Sequence, residues 1–97
     1  MYSCGVWIVR QGKEKDFEQR WQAGADLVAI ENPGTKFMLL QDRDDPRRFI
    51  SLGEGWRNVE QLEAARSLPS YQDAMADTWR VLESGDLSRL DLVAEVS

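Results

Sequence analysis

Five side chains have the types and spacing of a small-ligand site: Trp7, Trp56, Arg66, Tyr71 and Met75. Tyr71, Met75 and Trp79 recur every four residues and so share one helical face. Such a stripe serves either as core or as the wall of a pocket. As a wall, Tyr71 can turn its hydroxyl toward a ligand oxygen, and the adaptable thioether of Met75 suits a flat aromatic ring. Arg66 falls on the apolar side of its own helical run, with Val59 and Leu62. Arginine is rarely fully buried unless paired. Either its stem runs along the core with its head in water, or the guanidinium stands at a cleft mouth facing a phenolate or carboxylate. Trp7 lies on the first predicted strand and Trp56 closes the third. Each is read as core packing or as an aromatic wall. Glu54, on the same strand face as Ile50 and Leu52, is a base if burial raises its pKa, or else half of an ion pair. Cys4 has no activating neighbour and reads as a small core residue.

Composition removes other chemistries. The 97 residues include no histidine and one cysteine, which excludes zinc sites built from His and Cys and every His-based triad. No metal site is expected. One cysteine allows no intrachain disulfide, in keeping with a reducing, cytoplasmic compartment. Seventeen acidic residues against twelve basic ones give a net charge of −5. An acidic domain without a basic stripe is a poor nucleic-acid binder, and Arg43, Arg47 and Arg48 are interleaved with Asp42, Asp44 and Asp45 as in a solvated turn. No apolar run approaches the ~20 residues of a membrane span, and the N-terminus does not read as a signal peptide.

Hydrophobic periodicity sets the elements that must position these residues. Tyr2–Arg10 reads as a strand rich in β-branched and aromatic residues. A helix follows, with Phe17, Trp21, Gly24/Ala25 and Val28 on one stripe, and Asn32-Pro33-Gly34 stops it. Strands are predicted over Thr35–Gln41 and Arg48–Trp56, joined antiparallel through an Asp-rich turn. Asn58 with Gln61 forms a capping box for a short helix. Pro69 opens a further helix carrying Tyr71, Met75, Trp79 and Leu82; Gly85-Asp86 is expected to end it, and Leu87–Val96 to form the last strand. The order is an α+β, ferredoxin-like β-α-β-β-α-β in a single domain spanning 1–97, with a four-stranded antiparallel sheet and helices on one face. Both sheet faces read as apolar. Phe37 and Leu39 oppose Met38 and Leu40, and Leu90, Leu92, Ala94 and Val96 share a face opposite Val93. Soluble monomers rarely keep such a patch exposed, so a homodimer is expected.

Several landmarks occur together: Gly12-Lys13-Glu14 and Phe17, Leu39-Leu40-Gln41-Asp42, Asp44-Asp45-Pro46 and Phe49, Glu54-x-Trp56, Leu62, and Leu68-Pro69-x-Tyr71. In that order and spacing the chain resembles the antibiotic biosynthesis monooxygenase family of dimeric α/β barrels. The resemblance implies two sheets packed face to face, with a ligand cleft between sheet and helices in each subunit. Some members oxidise aromatic polyketides or quinols with O2 and no cofactor; others degrade haem. The haem branch keeps an Asn, a Trp and a His where this chain, counted from Gly12 and Trp56, holds Gly5, Ala65 and Met75. Haem oxygenation is therefore not expected, and no cofactor is expected for the quinol-type activity.

Two functions remain open. One is a cofactor-independent monooxygenase acting on an anthrone or hydroquinone, with Trp7, Trp56, Tyr71 and Met75 as the slot and Arg66 holding the anion. The other is a non-catalytic small-ligand-binding or dimerisation module. Aromatic content and Arg66 favour the first; the lack of histidine and of an acid–base pair favours the second.

Overall fold

The structure, a computed structural model, describes residues 1–97. Its elements run β1 (Tyr2–Val9), α1 (Glu14–Glu31), β2 (Lys36–Gln41), β3 (Arg48–Glu54), α2 (Val59–Arg66), α3 (Pro69–Trp79) and β4 (Leu82–Leu90). The strands form one antiparallel sheet in the order β2-β3-β1-β4, with the longest ladder between β1 and β4. All three helices cover one face. The molecule measures 18 Å along its shortest axis, the thickness of one sheet and one helix layer.

Local chemistry fixes the element ends. Asn32 closes α1, and its side-chain amide donates to the Val28 carbonyl at 2.9 Å while its carbonyl Oδ1 accepts from Gln61 of α2 at 3.2 Å. One buried residue thus ties the end of α1 to the start of α2. Asn58 caps α2 by accepting from the Gln61 amide at 2.8 Å; Gln61 reaches back to the Arg57 amide at 2.7 Å, one residue earlier than a standard capping box. Pro69 occupies the first turn of α3, where its missing N–H costs nothing.

Two apolar clusters form between sheet and helices. Trp7, Val9, Phe17, Phe49, Val81 and Leu82 make one; Trp56, Leu62 and Ala65 make the other, with Val28 and Phe37 packed on it. The Phe17 and Phe49 rings lie 5.0 Å apart and tilted, the offset geometry aromatic pairs prefer.

The end of the chain differs from the sequence expectation. The helix carrying Tyr71 and Met75 stops at Trp79, so Leu82 leaves that stripe and enters the core as the first residue of β4. Gly85 and Asp86 lie inside β4 and do not break it. Gly85 stands opposite Trp7 in the register, and any Cβ placed there would lie 2.6 Å from the Trp7 indole. This glycine is therefore a strand residue that makes room for a ring. Residues 91–97 belong to no strand, because Leu90 already pairs with Tyr2 at the start of β1. The alternating face expected through Leu92, Ala94 and Val96 is not formed, and Val93 and Val96 are almost wholly exposed.

The sheet's second face still carries an apolar patch, bordered by Ser84, Asp86 and Ser88 of β4 and by Arg48 and Glu54 of β3. Register places Val6 and Ile8 of β1 beside Ile50 and Leu52 of β3 and Met38 and Leu40 of β2. None of these six is buried, and no element of the chain covers them.

Candidate functional site

On the helix side, β1 and β3 place small residues opposite one another: Ser3 pairs with Gly53, and Gly5 with Ser51. The four residues form a checkerboard that leaves a depression in an otherwise aromatic and aliphatic surface. A cavity of about 100 Å³ opens above it, walled by α1, α2 and α3 and set between the two apolar clusters. Gly5 and Gly53 cannot carry a larger side chain in place. A Cβ on Gly5 would overlap the Trp7 ring and lie 2.7 Å from Ser51 Oγ, and one on Gly53 would meet Ser3 Oγ and the Phe37 ring.

Four of the five predicted site residues, Trp56, Arg66, Tyr71 and Met75, line this cavity. Trp7 does not. It is buried in the core between Phe17 and Trp79, with its indole lying over Gly5 and Gly85. Its Nε1–H donates to Ser51 Oγ at 2.9 Å, so it holds one end of the floor. Trp56 makes the matching bond at the other end, donating from Nε1 to Ser3 Oγ at 3.1 Å. Sequence reasoning passed over Ser3 and Ser51. Their signal was a serine and a glycine at alternate positions on the helix-facing side of each of two apolar strands. Glu54 points to the opposite sheet face and is not in the cavity, whereas Gly5, Ala65 and Met75 all line it.

Two arginines reach the cavity, and their electrostatics differ. Arg20 on α1 bonds Asp16 at 2.6 Å and Asp77 of α3 at 2.7 Å, so its charge is matched and it clasps the two helices. The Arg20 guanidinium holds the Asp16 carboxyl below its usual value, and Asp16 in turn raises Arg20. Arg66, the last residue of α2, has no carboxylate within ion-pair distance. Burial pushes the Tyr71 phenol above its ordinary value, against the opposing pull of the neighbouring Arg66 guanidinium. No carboxylate lines the cavity. An apolar slot with an unmatched cation and a protonated phenol favours an anionic or strongly electron-rich oxygen.

The fold is shared with known proteins. The family model for antibiotic biosynthesis monooxygenases matches residues 6–77, and the chain belongs to that family. No curated protein sequence matches it. Among solved structures, it is similar to a Caulobacter crescentus protein at 17% identity and a TM-score of 0.84, covering 96% of this chain and 89% of that one. PA3566 from Pseudomonas aeruginosa aligns at 18% identity and a TM-score of 0.78, over 96% and 93% of the two chains. A point mutant of SnoaB, a cofactor-independent oxygenase from Streptomyces nogalater, aligns at 17% identity and a TM-score of 0.78, over 95% and 93%. These likenesses establish the ferredoxin-like fold.

Proposed function

We propose that the chain is a cofactor-independent monooxygenase that oxidises a small electron-rich aromatic with O2. The observation that carries this reading is Arg66, an unmatched guanidinium on a mostly apolar cavity. A deprotonated hydroquinone or anthrone can reduce O2 directly, so the protein must bind the anion, stabilise it and exclude water. Arg66 favours the ionised substrate, Tyr71 stays protonated as a donor, and Trp56 and Met75 sandwich the ring. Size favours the hydroquinone. A cavity of roughly 150 Å³ accommodates benzene, and the cavity here, at about 100 Å³, encloses one ring at most. An anthrone would have to widen it or protrude.

Oxygen uptake on a panel of hydroquinones tests the reading. A charge-assisted hydrogen bond contributes roughly 1.5–3 kcal/mol, so Arg66→Met should lower kcat/KM about ten- to a hundredfold with little change in Tm. The acid limb of its pH–rate profile should move to higher pH, because substrate ionisation loses its cation. Arg80→Met, at the exposed end of α3, should do neither. Equal activity of the two variants would remove Arg66 from the site. The cavity holds no carboxylate or imidazole to act as base, and this favours a second reading, a binding module. Saturable binding without oxygen uptake would select it. We also propose that a second copy of the chain covers the bare sheet face, giving a homodimer.

A further inference from the structure

Ser3 and Ser51 are in an unusual hydrogen-bonding state. A seryl hydroxyl has one hydrogen to donate and two lone pairs, whereas an indole N–H only donates. Trp56 and Trp7 therefore fix both serines as acceptors, and neither hydroxyl donates its own hydrogen within the chain. Both serines line the cavity. The indole bonds orient the two oxygens, and a hydroxyl that already accepts one hydrogen bond is a better donor of the next. Ser3 pairs with Gly53, and Ser51 stands two residues from Gly53 on β3. The two serines are thus diagonal neighbours across the strand pair, roughly 7–8 Å apart. A single oxygen can bridge donors no more than about 5.6 Å apart, twice an ordinary O–H···O distance of ~2.8 Å.

We propose that Ser3 and Ser51 are specificity-determining donors that read two separate oxygen atoms on one planar ligand. The matching ligand class is a ring bearing oxygens at opposite ends, such as a 1,4-hydroquinone, rather than a monophenol. This rests on the cavity being the ligand site, and it adds which ligands the site selects.

Hydroquinone, phenol and toluene, titrated anaerobically into the intact protein by calorimetry, test it. Hydroquinone should bind about five- to tenfold more tightly than phenol, the difference one further hydrogen bond makes. Ser51→Ala should reduce that preference to near unity. Because this variant strands the Trp7 N–H and could unfold, the paired Ser51→Ala/Trp7→Phe change removes both partners, and it should show the same loss of preference. The wild-type indole N–H resonance of Trp7 supplies a readout without mutation. It should move downfield with hydroquinone, as the bond to Ser51 strengthens, and stay in place with toluene. Equal binding of hydroquinone and phenol, or a preference that survives both variants, would overturn the serine assignment and leave the cavity reading intact. Failure of all three probes to bind would overturn both.

Discussion

Arg66 and Arg20 approach one cavity from different helices, yet only Arg66 brings an unmatched charge. That contrast depends on partners and could not be read from residue type. Tyr71 offers an independent check on the same corner. Its phenol is raised by burial, so in a spectrophotometric titration Tyr71 should ionise at higher pH than an ordinary tyrosine near ~10. A folded-state value above the unfolded one means that the native state holds this proton more tightly. The stability gained from it is present below pH ~10 and declines as pH rises through the folded value. Tyr71→Phe should remove the raised transition. In Arg66→Met the transition should rise further, because the guanidinium that opposes the burial effect is gone. Hemin is the negative control for the cavity: with Gly5, Ala65 and Met75 on its lining, titration should give no stoichiometric Soret shift.

At the scale of elements, the helix caps and the glycine floor make separable predictions. Asn58→Ala removes the cap of α2 and should cost about 1 kcal/mol, a fall in Tm of roughly 4–8 °C for a domain of this size. The cavity should survive it. Gly5→Ala forces a methyl against the Trp7 ring and Ser51 Oγ. Overpacking of this kind costs roughly 1–3 kcal/mol and should also weaken ligand binding, because it raises the floor. Most elements were legible in the sequence, since Phe17 through Val28 and Tyr71 through Trp79 keep a clean helical period, and Asn32, Asn58 and Pro69 mark boundaries. The end of α3 was not. Leu82 continues the helical spacing by coincidence, and Gly85 resembles a breaker until the Trp7 ring across from it is seen. Of the residues that line the cavity, Trp56, Arg66, Tyr71 and Met75 were legible from helical faces and residue chemistry. Ser3 and Ser51 were missed because their role depends on cross-strand register and on which indole reaches them, information that no single segment contains.

For the whole molecule, the bare face of the sheet is the dominant feature. Val6, Ile8, Ile50 and Leu52 form a contiguous apolar surface that the chain leaves uncovered. Burying it against a second copy should give a particle twice the 11.1 kDa protomer mass in light scattering at micromolar concentration. Ile50→Lys should shift that equilibrium to monomer while far-UV circular dichroism keeps its mixed helix and strand signal, because Ile50 points away from the helices. A wild-type monomer at that concentration would remove the barrel assembly.

The serine–glycine checkerboard has a consequence for stability. A void sealed among packed side chains costs about 24 cal/mol for each cubic ångström; the cavity of about 100 Å³ opens to solvent, so it weakens the fold by less than a sealed void of that size would. Small domains have only about 5–15 kcal/mol of net stability. Ser3→Val and Ser51→Val would fill part of the gap but would strand the Trp56 and Trp7 N–H groups that bond those two hydroxyls. The gap's persistence in so small a core sets a cost that an occupant can offset: ligand binding should raise Tm, and the hollowest part of the domain should gain most rigidity when filled.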